Sequence, residues 1–423
     1  MKYRHYAVTF VFLALTTGSA LGAAARAARP DDGQTPPAGA RASQSPSTEA
    51  AEVAKAIESA RASRTAGQFG DALKTMVAVL KKYPANTEAA RFQIGTLVEQ
   101  ERIADALVSY DVYAVARKRP DAVALSTVAR ADLLRTLRTK RDQPTLVAKA
   151  LERLARDGDQ EALRSLRQMS AGAWVSPDGL APATSLARLG DPAGVAKLES
   201  LINAPQPLER AQVIQAIGEA GVRSLVPAVL GFLSDPDANV RIKAATTLGV
   251  LQDRQAIPKL KTMFETDTAA ARMFAAIALK QLGDTSADAF LDGLLSGQIA
   301  ELRVFAADAY RFATSKSPQW DKAVRTLMGG PNEEHRLRAA ELLACCDVIA
   351  ARGFLTSALA SPNPFMRAGA AKIYEAQKQL ADAVAARRIL GDAMEAVRVH
   401  GAGLSLAIAR SEAASPARGR GGR

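Results

Sequence analysis

The sequence predicts an all-α protein of the solenoid type. Three observations carry this. The chain is 48% hydrophobic and only 5% aromatic, with much of the apolar content in alanine, the strongest helix former. An arginine recurs at a constant interval as Arg210, Arg241, Arg272 and Arg303, and then continues as Arg336 and Arg367. Apolar residues keep time with that arginine at offsets of three, four and seven, which is one face of a helix.

The first segment, residues 1–25, reads as a secretory signal peptide. Lys2 and Arg4 precede an apolar core from Tyr6 to about Thr16, and small residues follow around Ala20 and Ala23 to Ala25. The core is shorter than the roughly 20 residues a membrane-spanning helix needs. An uncleaved anchor is the alternative. With no cysteine near the cleavage region a lipid anchor is excluded, so the expected location is periplasmic or secreted. Residues 26–50 are rich in Pro, Ala, Ser and Gly without apolar periodicity, the composition of a disordered linker.

Residues 51–142 carry helical-hairpin patterning. Ala72-Leu73 and Ala106-Leu107 each open an amphipathic stretch, and Pro84 and Pro120 end them. A small residue at that place lets two helices approach closely. The interval between the two Ala-Leu pairs and the Ala-to-Pro layout resemble tetratricopeptide repeats, whose period is about 34 residues. The resemblance implies helix–turn–helix units.

Residues 143–400 hold the arginine ruler. Three after each arginine stand Val213, Ala244, Ala275, Ala306, Ala339 and Ala370. Seven after stand Ile217, Leu248, Leu279, Tyr310, Leu343 and Tyr374. A partner helix repeats in register as Leu198, Val229, Leu260 and Leu291, and as Leu201, Phe232, Met263 and Leu294. The stretch LSDPDANVRIKAATTLGVLQD, echoed by ELRVFAADAY and PFMRAGAAKIY, resembles the short Ala-rich HEAT repeats first described in phycobilisome lyases. The resemblance spans roughly residues 183–379 and implies stacked helix pairs. It implies no lyase activity, because the repeat is a scaffold shared by unrelated functions.

The arginine lies in the first turn of its helix, where the helix dipole disfavours a cation. A neighbouring Asp, or a carbonyl of the adjacent repeat, is the expected partner. Arg210, Arg241, Arg272, Arg303, Arg336 and Arg367 then form a structural ladder between repeats. The alternative is an anion-binding stripe. Asp235-Pro236 is expected to cap the following helix. The ruler slips by two places near Ser317–Trp320, and Trp320 is placed at that junction. Residues 401–423 lose the pattern and end in ARGRGGR; they read as a last capping helix and then a disordered basic tail, with the tail's bounds set at 401–423.

A surplus of 55 Lys and Arg over 43 Asp and Glu makes the chain basic, with a net charge of +12. That permits anionic partners, but the charges are interspersed, so nucleic acid is not expected. Only three His occur and none has metal-ligand spacing, His335 and His400 standing apart. The adjacent Cys345 and Cys346 would point about 100° apart on a helix and read as small apolar core residues. No nucleophile elbow, phosphate loop or dinucleotide fingerprint is present. No catalytic residue, cofactor or metal is therefore expected, and the chain reads as a non-enzyme.

What remains is surface. Offsets two and five from the arginine should line the concave face. There Phe274, Ile277 and Phe305, with Met273 alongside, form an apolar patch, with Lys243 and Arg338 on its rim. Exposed apolar patches mark protein partners, so the expectation is a protein-binding scaffold or adaptor. The alternatives are an electrostatic binder of anionic polymer or membrane surface, or the regulatory subunit of an envelope enzyme. Repeat curvature covering the patch is the competing account of these residues.

Overall fold

A computed structural model describes residues 48–172, 180–313 and 316–414. Residues 1–25, expected to be a signal peptide, and most of the expected linker lie outside the described residues. So do the last residues of the chain, 415–423.

Among the described residues all regular structure is helical, and the helices fall into two bodies divided between Arg119 and Pro120. The first holds α1 (Thr48–Thr65), α2 (Phe69–Lys82), α3 (Thr87–Glu99) and α4 (Ile103–Arg117). Consecutive helices pair as hairpins around Val53, Ile57, Ala60, Ala72, Met76 and Ala89. Ala72 and Ala106, the small residues expected to allow close approach, are both fully buried. The side chain of Asn86 caps α3 by accepting from Ala89 N–H.

The second body starts with α5 (Ala122–Thr139), α6 (Pro144–Arg156), α7 (Gln160–Ala171), α8 (Leu180–Arg188), α9 (Pro192–Leu201) and α10 (Pro207–Ala220). Then come α11 (Val226–Gly231), α12 (Ala238–Leu251), α13 (Ile257–Thr266), α14 (Ala269–Gln281), α15 (Asp288–Ser296) and α16 (Ala300–Ala309). It ends with α17 (Pro318–Met328), α18 (Glu333–Leu343), α19 (Val348–Ala358), α20 (Pro364–Ala376), α21 (Ala383–Leu390) and α22 (Glu395–Ala414). Two expected boundaries move. Helix α5 belongs to this body and not to the first, so the division falls at 119/120 rather than at 142. Residues 401–414, set within the bounds of the basic tail, form most of α22, the helix expected to cap the array. Their Gly401, Ala402, Leu404 and Leu406 are buried, which is why they are helical without the alanine ruler.

The inner helices stack side by side, each on the next, along α6, α8, α10, α12, α14, α16, α18, α20 and α22. Helix α22 then packs back on α5 and α6. The solenoid therefore closes into a ring.

The ladder exists and has a defined chemistry. Arg210 grips Asp235 with two bonds of 3.0 Å, and its other nitrogen donates to the carbonyls of Ala204 and Pro205. Arg241 repeats this with Asp267 and the carbonyls of Asp235 and Pro236. Arg367 does so with Asp392, Ser361 and Pro362. Each of these arginines thus closes its own turn and ties it to the turn of the next repeat. Asp235 serves this tie, and the helix cap is Asp237, which accepts from Asn239 and Val240 N–H. Burial raises the Asp235 carboxyl, but the Arg210 bonds, the Asp237 amide and nearby arginines outweigh it and hold it below its usual range.

The ladder is incomplete. Arg272, Arg303 and Arg336 lack an acid at the corresponding places, where Gly297, Gln298, Met328, Gly329, Ser361 and Pro362 stand. Arg272 is exposed and donates to the Phe264 carbonyl at 2.8 Å. The Nε atoms of Arg303 and Arg336 are buried without a hydrogen-bond partner.

A seventh arginine completes the array. Arg398 follows Arg367 at the same interval. It donates to the carbonyls of Asp392 and Ala393 as its predecessors do to theirs. Its carboxylate partner is Asp132 of α5, 266 positions away, at 3.1 Å. Lys140–Glu395 at 3.2 Å and Arg410–Asp157 at 2.9 Å close the same seam. The device that links neighbouring repeats is thus reused to join the last helix to the first.

Candidate functional site

Closure changes the expected binding face. Met273 and Ile277 are 9% and 6% exposed, so neither can anchor a partner. Phe274 and Phe305 are half-buried and meet edge to face, their ring centres 5.4 Å apart. The patch is a packed aromatic pair inside a curved array, which corrects the reading of it as an open surface. Edge-to-face pairs of this kind stabilise by about 1 kcal/mol beyond burial.

The two rim cations are also inside. Arg338 ties α18 to α16. It bonds Asp308 and sits 2.5 Å from Glu341, while Arg311 reaches the same two carboxylates at 3.0 and 3.2 Å. Two cations and two anions balance, so this network holds adjacent repeats together. Lys243 is half-buried. Burial lowers its pKa, opposed by the Glu219 carboxylate.

Further cations converge with it on the inner face. Lys149 of α6 keeps solvent access, yet the surrounding protein lowers its pKa, first by desolvation and then through the Arg153 charge. Lys372 of α20 is pushed by burial down to about 8, although Glu341 and Glu219 oppose this. Glu219 of α10 therefore acts on lysines from α6, α12 and α20. That convergence is what closure produces.

Between the seam and this cluster lies a polar group that spacing did not reveal. Glu375 Oε2 is 2.5 Å from Arg153 Nη2 and 2.6 Å from His400 Nδ1. Burial raises the Glu375 carboxyl, yet Arg153 and His400 bring it down to about 2. Burial lowers the pKa of His400. Gly403 makes room for the group, since a Cβ there would overlap Glu375 Oε1. The signal was present: His400 and Gly403 are offsets two and five from Arg398. His335 is separate, and its backbone N–H is held by Asn332, the cap of α18.

Cys345 and Cys346 are exposed in the turn that ends α18, which corrects their reading as core residues. A shallow depression of about 310 Å³ opens at the seam, lined by Asp142, Gln143, Pro144, Thr145, Leu146, Lys149 and Ala396. Among the described residues no cluster of three or more His, Cys, Asp or Glu could hold a metal ion. No described helix is long and apolar enough to cross a membrane.

The family model for HEAT repeats matches residues 195–280 and 226–310. These are HEAT repeats. Their outer helices are α9, α11, α13 and α15, and the arginine-bearing α10, α12, α14 and α16 are their partners. The chain is similar to the complex of CpcE and CpcF of phycocyanin lyase from a Nostoc species. That likeness has 20% identity and a TM-score of 0.38, covering 56% of this chain and 96% of that one. It is also similar to human deoxyhypusine hydroxylase, with 17% identity and a TM-score of 0.31, covering 61% of this chain and 99% of that one. No curated protein matches the chain.

In the first body, one surface is apolar and open. Val108, Val112 and Val115 are 61%, 65% and 78% exposed. They fall at i, i+4 and i+7 of α4 and so share one face.

Proposed function

We propose that this protein is an exported, non-catalytic scaffold that binds other proteins. The observation that carries this reading is the valine face of α4. Three neighbouring valines exposed on a helix of a hairpin array are an apolar surface with no structural use in their own body. The inner charges of the HEAT ring are largely committed to one another, which supports a structural role for the ring. Export rests on the N-terminal pattern of Lys2, Arg4 and the apolar core after them.

The test is cross-linking capture from an envelope extract with the full chain and with Val108→Asp/Val112→Asp. Captures are compared with a Phe274→Glu/Phe305→Glu variant at low and high salt. The expected result is that specific partners persist at high salt and drop roughly tenfold or more with the valine variant, as hot-spot truncation does. Retention by the valine variant, with a melting curve unchanged from the parent, refutes the α4 surface. Cell fractionation with N-terminal sequencing checks export.

A second reading rests on a different observation, the gathering of Lys149, Lys243 and Lys372 around Glu219. It makes the ring interior a site for an anionic ligand. Binding would then fall steeply with salt and with Lys243→Gln.

A further inference from the structure

Adjacent cysteines on a continuous helix diverge, but these two do not sit on one. Helix α18 ends at Leu343, and Cys345 and Cys346 follow in an irregular turn before α19. The turn brings their sulfurs to 3.5 Å. Both residues are exposed. Cys345 Sγ lies 3.1 Å from the Leu342 carbonyl. The Lys316 ammonium, held by the carbonyls of Tyr310 and Ala313, lies within the electrostatic reach of both sulfurs. Lys316 thus places positive charge near the pair of thiols.

We propose that Cys345 and Cys346 form a vicinal dithiol that exchanges with external disulfides and closes reversibly into an intrachain disulfide. The Cys345 thiol loses its proton to water, and the thiolate attacks a disulfide R–S–S–R. A mixed disulfide forms and one thiolate RS⁻ leaves. Cys346 then loses its proton and attacks Cys345 Sγ, and the second RS⁻ leaves. Two protein thiols are oxidised and one external disulfide is reduced to two thiols. Partial desolvation of its sulfur and the neighbouring Cys345 hold the Cys346 thiol up to about 11, in keeping with the second, resolving step.

Reversibility follows from geometry. Adjacent Cα atoms are about 3.8 Å apart, whereas disulfides usually span about 4.4–6.8 Å. The sulfurs must also close from 3.5 Å to about 2.05 Å. A bond made under that strain is readily reduced, and strained, exposed disulfides are the labile ones. The pair is therefore suited to switching and not to stapling the fold.

The full chain would be equilibrated across ratios of oxidised to reduced glutathione, trapped with an alkylating agent and mapped by peptide mass spectrometry. The expected result is a Cys345–Cys346 peptide that loses two hydrogens, resists alkylation and is restored by dithiothreitol. Cys346→Ser should stop at a glutathione adduct on Cys345. Two alkylatable thiols at every ratio, or stable double adducts without closure, would overturn the proposal. So would closure of the urea-unfolded chain at the same ratio as the native one, because the turn would then contribute nothing.

Discussion

The ring stands or falls on Arg398. Replacing it with Met keeps the apolar stem and removes the guanidinium. The bond to Asp132 at 3.1 Å is lost, together with two carbonyl bonds of 2.9 Å and the contact with Glu395 at 3.3 Å. Asp132 is 1% exposed, so its charge cannot turn to water. Breaking such a pair from one side costs about 3–5 kcal/mol. Arg135 still contacts Asp132 at 2.5 Å, which places the cost near the lower end, about 3 kcal/mol. Spread over an unfolding entropy of about 2.1 cal/mol/K per residue, a body of roughly 300 residues should melt about 5 °C lower. Arg272→Met is the matched control at a rung with no acid. Its guanidinium is exposed and makes one carbonyl bond, so a loss of about 1 kcal/mol and 1–2 °C is expected. The assay is calorimetric melting of both variants, with Asp132→Asn completing a double-mutant cycle. Equal shifts at Arg398 and Arg272, or no coupling between Arg398 and Asp132, would refute closure through this pair.

Further outcomes follow from the same geometry. Gly403→Ala drives a Cβ into Glu375 Oε1 and to 2.8 Å from Arg153 Nε, and should destabilise by about 2 kcal/mol. Gly95→Ala in α3 meets nothing within 4 Å and should be neutral or stabilise by up to about 1 kcal/mol; thermal melts of both separate crowding from backbone entropy. Acid should weaken the Glu375 group in a defined window. Its folded carboxyl titrates at about 2 against an ordinary value of 4.5, so its stabilisation is complete above 4.5 and lost as pH falls toward 2. Glu375→Gln should therefore lower the melting temperature at pH 7 and converge with the parent near pH 2; a constant difference across that range would refute the assignment.

The fold class was legible because it is a local property repeated. Each Arg column and apolar column sits within one helix, and their constant period reports the packing of one repeat on the next. The candidate site was less legible. Offsets two and five from the arginine pick out Lys243, Arg338, His400 and Ile277 as one face of the helices. Whether that face is open depends on how far the array curves, which no single repeat records. Met273 and Ile277 are buried where an open surface was expected.

The sequence by itself determined the helical repeats, the residues that tie them and the first-turn arginine that must find a partner. Tertiary structure decided which arginines find an acid, where the first body ends and that α22 returns to α5. Small rotations per repeat accumulate along a solenoid, and only their sum brings Arg398 to Asp132 across 266 positions. The same sum turns an apparent open patch inward and gathers lysines from α6, α12 and α20 about Glu219. Side-chain partners within a repeat are set by periodicity; partners across the ring are set by curvature.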